Sequence, residues 1–487
     1  TTDPYLFFCL ALAIVYKLVL VLIQRRRATN NPDEEPLIAP PKHHVKPRLI
    51  SLDAFRGIAL FFMVFVNYGG GGYWYFSHST WNGITVADLL FPWFVWIMGA
   101  AMPFAFSASE KKKQSKLVQF VGLFRRSVTL FALGMFLNDG HFINYWRIPG
   151  VLQRFAVAYL AIGTMYMFVP KLGMNKKEKP LLAVESEGSA MDLNLNADFD
   201  TINRGSTENL ESKTARLPSC FVDHFSDLFP YVFEYALVAL LVMVWFLLTF
   251  LLRVPGCPTG YLGPGGLSGN PKCTGGAAGY IDRMILGNRH IYDNPTCRDP
   301  GPGDIPSNYL CQAYDPEGLL GNLTSIFLCF LGLQAGRIMK TYQTHRARFI
   351  RLVIHGLVWA AVGTGLCGAS QNNGVLPLNK NLWSFSFTAL LGGLAFLLLA
   401  VCFLLIDWIR IWKGAPFTYV GMNSIVVYMG HEILEEYFPF SWSWKAPHTK
   451  SGEYSSHWMM TASNLLGASW WALIAFILFK KKIFIRV

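Results

Sequence analysis

One segment of the sequence carries most of the side chains that could support proton transfer. It runs from Asn67 through four consecutive glycines to His78, and Asp88 follows ten residues later. Histidine is the usual general base near neutral pH, a carboxylate can orient its ring, and an amide N–H can stabilise an oxyanion. The segment predicts an acyl-transfer site formed by His78, Asp88 and Asn67. The alternative is that His78 is only a polar residue in an interfacial aromatic belt.

Two further polar groups interrupt apolar runs. Gln153 and Arg154 open one run at the same predicted depth as His78, and Asn423-Ser424 precede His431 in another. On a continuous helix Asn423 and His431 would lie close to one face and could line one cavity. A hydrogen-bonded pair between helices is the alternative for them. The sequence has no H-x-x-H pair and no glycine-rich phosphate-binding motif, so neither a metal nor ATP-driven chemistry is predicted.

The elements that position these residues are predicted to be membrane-spanning helices. The chain has 487 residues, of which 53% are hydrophobic and 15% charged, whereas soluble proteins carry about 25% charged residues. A soluble enzyme with one peripheral anchor is excluded because apolar runs recur along almost the whole chain. A spanning helix needs about 20 mainly apolar residues. This criterion predicts an all-α polytopic protein with eleven spans, near 5–24, 51–68, 84–108, 118–137, 151–170, 228–252, 319–339, 349–369, 382–407, 416–437 and 459–479.

The net charge of +12 is interpreted as topological. Its basic residues cluster at the ends of apolar runs, as at Arg25–Arg27, Lys111–Lys113 and Lys480–Lys482, and every cluster falls on the same predicted side. The positive-inside rule then predicts an extracytosolic N-terminus and a cytosolic C-terminus; the resemblance described below makes the extracytosolic side luminal. Nucleic acid is not an expected partner, and membrane lipid is.

The predicted spans divide the chain into four parts. Residues 1–50 hold the first span and a cytosolic linker with an acidic dileucine-type signal, DEEPLI, at 33–38. Residues 51–170 hold spans two to five and the candidate catalytic loop, 171–227 form a polar cytosolic loop predicted to be disordered, and 228–487 hold the remaining spans. The loop 253–318, predicted to lie outside the cytosol, is expected to contain two disulfides, with the pairing left open, among Cys257, Cys273, Cys297 and Cys311.

Several stretches of the chain resemble the heparan-alpha-glucosaminide N-acetyltransferase family of lysosomal membrane enzymes. The resemblance extends from the first span to the C-terminus. It is carried by SLDAFRGIAL at 51–60, VFVNYGGGGYWYFSHSTWNGITVADLLFPWFVWIMG at 64–99, LNKNLWS at 378–384 and GMNSIVVYMGHE at 421–432, among others. It implies transfer of acetyl from cytosolic acetyl-CoA to the non-reducing glucosamine amine of heparan sulfate in the lysosomal lumen. The family's active-site histidine falls on His78 and its paired asparagine on Asn67.

The resemblance also extends the other predictions. It supports lysosomal sorting by the dileucine signal, a homodimer, and a luminal N-terminal domain that this sequence lacks. Acetyl-CoA would then reach across the membrane from a basic cytosolic mouth. Its candidate ligands are Arg56, Arg125 and Arg126 at that mouth, and Gln153, Arg154, Asn423, Ser424 and His431 along the cavity. For Arg56 the alternative is an ion pair with Asp53, three residues earlier on the same helix face.

Two mechanisms and two other functions remain open from the sequence. His78 could deprotonate the glucosamine amine for direct attack in a ternary complex, or it could carry the acetyl group itself in a ping-pong route. An O-acyltransferase acting on carbohydrate is an alternative, because many such enzymes also open with an L-D-x-x-R-G span. A secondary transporter is the non-enzymatic alternative, but the sequence shows no internal repeat of the kind that transporters carry.

Overall fold

Long apolar helices account for most of the described chain. The computed structural model describes residues 49–138, 143–172, 227–264, 270–292, 312–441 and 457–485. The first predicted span, the dileucine-type signal and nearly all of the loop 171–227 lie outside these residues. Within them the α-helices are α1 (Ile50–Asn67), α2 (Val86–Lys111), α3 (Lys116–Leu137), α4 (Val151–Phe168), α5 (Val232–Leu251), α6 (Gly276–Ile285), α7 (Gly321–Thr341), α8 (His345–Leu366), α9 (Phe385–Phe403), α10 (Phe417–Met422), α11 (Ser424–Ile433) and α12 (His457–Lys480).

Nine helices of the described residues are long and apolar enough to cross a membrane. They coincide with nine of the predicted spans, which confirms an all-α polytopic protein. The predicted span over 416–437 is not one continuous helix. Two shorter helices, α10 and α11, occupy this stretch and break at Asn423, whose φ of −118° and ψ of 36° are not helical. At the break, the Asn423 side chain accepts a hydrogen bond from the backbone N–H of Ile485.

Helix α7 lies at the centre of the bundle, with 89% of its most apolar stretch buried. It packs against α2 through glycines that let the two backbones approach closely. A Cβ atom at Gly99 would lie 1.9 Å from the carbonyl oxygen of Cys329, and one at Gly332 would lie 1.8 Å from that of Trp96. Small residues at helix contacts are typical of membrane bundles. The α2–α7 pair therefore forms a rigid support for the loop that precedes α2.

Helices α3, α5 and α8 lie at the periphery, where about a fifth of each apolar stretch is buried. Their outward faces carry large apolar side chains, among them Val121, Phe124, Leu240, Met243, Ile354 and Leu357. A helix that is apolar also on its outer face is typical of contact with lipid. These faces agree with the membrane-spanning interpretation.

The loops that follow α1, α5, α8 and α11 gather at one end of the bundle, called here the His78 end. Trp81 donates its indole N–H to the carbonyl of Leu262 across this end. A disulfide joins Cys257 to Cys273 within the same group of loops. It selects one pairing from those that the sequence left open, whereas Cys297 and Cys311 lie outside the described residues.

Candidate active site

The loop between α1 and α2 brings His78 to the first turn of α2, where Asp88 lies. Nδ1 of His78 is 2.8 Å from Oδ1 of Asp88. The Asp88 side chain is fully buried, whereas 44% of the His78 side chain is exposed. Because an ionised carboxylate only accepts hydrogen bonds, the proton between them is assigned to Nδ1. Nε2 of His78 is then free to accept a proton, which is the state required of a general base.

The Asp88 carboxylate is held in place by its second oxygen. Oδ2 accepts hydrogen bonds from the backbone N–H and hydroxyl of Ser79, at 3.2 and 3.0 Å, and from the corresponding groups of Thr85, at 3.1 and 3.0 Å. These four donors come from the loop and from the start of α2. They satisfy a buried charge and leave Oδ1 directed at the imidazole, so the orientation of His78 is fixed by residues close to it in sequence.

Lys380 approaches His78 from the loop between α8 and α9. Its Nζ atom lies 2.9 Å from Nδ1 and 3.3 Å from Nε2 of the imidazole, and 3.4 Å from Oδ1 of Asp88. The ammonium is thus within hydrogen-bond distance of both ring nitrogens. The site is therefore a base, a buried carboxylate and an ammonium within mutual contact.

The loop that carries Lys380 is attached to the loop that carries His78. The N–H of Gly83 donates to the carbonyl of Leu378 at 2.8 Å, and the amide of Asn379 donates to the side-chain oxygen of Asn82 at 3.0 Å. Asn82 and Asn379 also form an isolated antiparallel bridge. Asn379 is fully buried, so this attachment is shielded from water. The two loops hold Lys380 against the His78 ring as one unit.

Asn67 belongs to a second polar cluster at the same end. Its Nδ2 atom lies 2.9 Å from Nε2 of His431 and 3.3 Å from Oε1 of Glu432. Nδ1 of His431 lies 3.2 Å from the carbonyl of Val427, so that nitrogen is the donor and Nε2 accepts from Asn67. No hydrogen bond joins Asn67 to His78 in the described structure. The sequence analysis gave an interhelical hydrogen bond as one alternative for His431. The structure shows such a bond, and the partner is Asn67.

Glu317 adds a carboxylate beside Lys380 and Arg147. Arg147 donates to both oxygens of Asp315, at 2.8 and 2.7 Å, and to Glu317 at 2.5 Å. Burial alone would raise the pKa of the Glu317 carboxyl, but the positive charges of Arg147, Arg154 and Lys380 lower it below its usual value. Glu317 is therefore charged near neutral pH and contributes a negative charge to the site.

Gln153 and Arg154 have surroundings different from those of His78. Arg154 is 1% exposed, donates to the carbonyls of Pro316 and Gly318, and lies 4.3 Å from the centre of the Trp383 ring. Trp383 follows Lys380 by three residues, so Arg154 supports the loop that carries the lysine. The buried amide of Gln153 lies against Gly134 and Gly150 on the other side of α4.

The candidate phosphate ligands and the remaining polar residues lie in other parts of the bundle. Arg56 forms the predicted ion pair with Asp53, at 3.5 Å, and donates to the carbonyl of Gly421. Arg125 is exposed, and Arg126 lies 4.8 Å from the ring centre of Tyr159 and donates to its hydroxyl. Asn423 is buried at the break between α10 and α11, and Ser424 follows it at the start of α11. Their roles toward acetyl-CoA remain predictions.

Sequence reasoning missed Lys380 and Glu317. Each lies in a polar loop more than 200 residues from His78, and no spacing rule connects such distant positions. The available signal was the match of LNKNLWS (378–384) and AYDPEGLLG (313–321) to the family, which marked both segments without indicating which side chain faces the histidine.

Comparison with known proteins confirms the resemblance found in these motifs. The chain is 39% identical over 454 residues to the Homo sapiens protein named heparan-alpha-glucosaminide N-acetyltransferase, an alignment that covers 91% of this chain and 60% of that protein. The Mus musculus protein of the same name is 39% identical over 450 residues, with 90% and 60% covered. The chain thus spans about 60% of the length of these curated relatives. No protein-family model matches it.

Proposed function

From this similarity and the His78 site, we propose that the chain is a transmembrane N-acetyltransferase. It transfers acetyl from acetyl-CoA to the non-reducing terminal glucosamine amine of heparan sulfate. The observation that supports this most directly is the half-exposed imidazole of His78 on the buried carboxylate of Asp88, 2.8 Å apart. A base with one nitrogen held by a carboxylate and the other unprotonated is what deprotonation of an amine needs.

The proposed reaction is direct transfer within a ternary complex. Nε2 of His78 accepts a proton from the glucosamine nitrogen, whose electron pair forms a bond to the thioester carbon. The π electrons of the carbonyl move onto its oxygen. When this oxyanion collapses, the C–S bond breaks, the pair leaves with the sulfur, and the proton on His78 passes to the thiolate. The products are the N-acetylated sugar and free CoA, and Asp88 stabilises the transient imidazolium.

The proposed direction is from the cytosol to the lumen of the lysosome. Arg56 lies eleven residues before Asn67 on α1, which is about 16 Å along the helix axis. An extended CoA could therefore place its phosphates near Arg56, with Arg125 and Arg126 as the other candidates, and its thioester near His78. In this arrangement the His78 end is luminal. Lysosomal localisation, lipid contact and a homodimer complete the proposal.

Acetyl transfer by the purified chain tests the proposal. His78→Gln should lower kcat by about 10²–10⁴, the usual contribution of a general base. His290→Gln is the matched control, because His290 lies in a loop of the same end and its ring is hydrogen-bonded to the backbone carbonyl of Trp146. We expect His290→Gln to transfer acetyl at the wild-type rate. Equal activity of His78→Gln and the wild type would refute the role of His78.

Two further measurements separate the alternatives. Incubation with labelled acetyl-CoA and no sugar should leave His78 unlabelled, and a stable acetyl label on it would establish the ping-pong route instead. Offering amine and hydroxyl sugar acceptors in parallel distinguishes N-acetyl from O-acetyl transfer. Uptake of solute into proteoliposomes without acetyl transfer would support the transporter.

A further inference from the structure

Lys380 is the side chain that contacts both His78 and Asp88. We infer that its ammonium stabilises the oxyanion of acetyl transfer, the role that the sequence assigned to Asn67. The inference rests on the proposed function and makes Lys380 a catalytic residue. Preorganised positive charge directed at the oxygen where negative charge develops is often the largest contribution to such reactions.

The position of Lys380 supports this role. Its Nζ lies 3.3 Å from Nε2 of His78, the nitrogen that would accept the proton. A nucleophile bonded to that nitrogen must attack a carbonyl close by, so the carbonyl oxygen falls within reach of the same ammonium. The Lys380 side chain is 14% exposed, which keeps most water away from its charge. A partly desolvated charge acts more strongly than one in water.

The surrounding structure keeps Lys380 in this position. The bridge between Asn82 and Asn379 fixes the residue just before it, and Tyr314 donates its hydroxyl to the carbonyl of Asn381, just after it, at 2.6 Å. The backbone on both sides of Lys380 is therefore anchored. The four-carbon side chain remains able to follow an oxygen as the carbonyl becomes tetrahedral.

Asn67 is already engaged by other partners. Its amide nitrogen donates toward His431, at 2.9 Å, and toward Glu432, at 3.3 Å. To donate to an oxyanion near His78, the amide would have to break these hydrogen bonds. Lys380 also has partners, with Nε2 of His78 at 3.3 Å and Oδ1 of Asp88 at 3.4 Å, but its ammonium has three N–H donors, so one can turn to an oxyanion while another keeps the ion pair with Asp88.

The kinetics of Lys380 variants first test whether the positive charge of this side chain contributes to kcat. Lys380→Met should lower kcat by about 10²–10³, as removal of an oxyanion donor does, and should leave the KM for acetyl-CoA within about threefold. Lys380→Arg retains the cation and should recover part of the loss. Lys272→Met is the control, because Lys272 is an exposed lysine at the same end, and it should match the wild type.

Binding of two CoA analogues gives a readout that does not depend on turnover. A methylphosphonate in place of the acetyl group presents a negative oxygen like that of the intermediate, and acetonyl-CoA presents a neutral ketone. The wild type should prefer the phosphonate, and Lys380→Met should lose about 10²-fold of that preference while it binds the ketone normally. Normal ketone binding also shows that Lys380→Met is folded. If Lys380→Met does not bind the ketone, the same comparison is made with Lys380→Gln.

The outcomes separate this inference from the proposed function. Wild-type kcat in Lys380→Met, or an unchanged preference for the phosphonate, overturns the role of Lys380. If His78→Gln is inactive in the same assay, the proposed function stands without a role for Lys380. Absence of acetyl transfer by the wild type overturns both.

Discussion

Protonation of Asp282 should make the protein more stable in acid than at neutral pH. Asp282 lies in α6, outside the spanning helices, and is 1% exposed. Its Oδ1 accepts the N–H of Leu319 at 2.8 Å, whereas Oδ2 has no hydrogen-bond partner among the residues that the structure describes. Burial, with the nearby charge of Asp315, raises the pKa of Asp282 from 3.8 to about 7, against the lowering by the Leu319 N–H, Arg154 and Arg283.

The sign and size follow from linkage. The folded pKa exceeds the unfolded one, so the folded state binds the proton more tightly. The stabilisation of the fold by the proton on Asp282 is fully present below pH 3.8 and is lost as the pH rises through about 7. A pKa difference of three units corresponds to at most about 4 kcal/mol in the free energy of unfolding, of which about 2 kcal/mol is lost between pH 5 and pH 7.5.

Asp282→Asn removes this titration and nearly retains the side-chain shape. Thermal unfolding in detergent, followed by tryptophan fluorescence at pH 5 and pH 7.5, measures the effect. The wild type should gain a few degrees more in Tm on acidification than the variant does. Glu436→Gln, at an exposed carboxylate, is the control and should behave as the wild type. If the Tm of Asp282→Asn depends on pH as steeply as that of the wild type, the assignment to Asp282 is wrong.

Two other predictions follow from the packing and from the site. Asp88→Asn should lower kcat by about 10²–10⁴, because an amide that keeps its oxygen toward Ser79 and Thr85 directs N–H at His78 and favours the wrong tautomer; near-wild-type kcat would contradict this. Gly57→Ala should reduce the free energy of unfolding by about 1–3 kcal/mol, because its Cβ would lie 1.8 Å from the carbonyl oxygen of Phe417. Gly122→Ala, with nothing within 4 Å, is the control and should retain the wild-type Tm.

The sequence predicted best what depends on neighbours along the chain. Nine apolar runs form helices long and apolar enough to span a membrane, because a helix satisfies its backbone hydrogen bonds within one segment, as lipid requires. His78 and Asp88 pair as their local spacing suggested, and Arg56 pairs with Asp53 at the predicted helical spacing.

What the sequence could not predict depends on contacts between distant segments. Span 416–437 has the apolar composition of a continuous helix, but its hydropathy does not show that Asn423 bonds Ile485 and leaves the helical conformation. Lys380 and His78 are 302 residues apart and meet only because two loops pair through Asn82 and Asn379. Such pairing depends on where the helices place their ends, which composition does not determine.

The two helices on either side of the break at Asn423, α10 and α11, contact opposite ends of α1. Gly421, in α10, packs against α1 near Asp53, where its Cβ would lie 2.0 Å from the Asp53 carbonyl oxygen. After the break, α11 runs to the His78 end of α1 and presents His431 to Asn67. Because α1 carries Arg56 near one end and Asn67 at the other, α10 and α11 together contact α1 beside both the proposed donor mouth and the acceptor end.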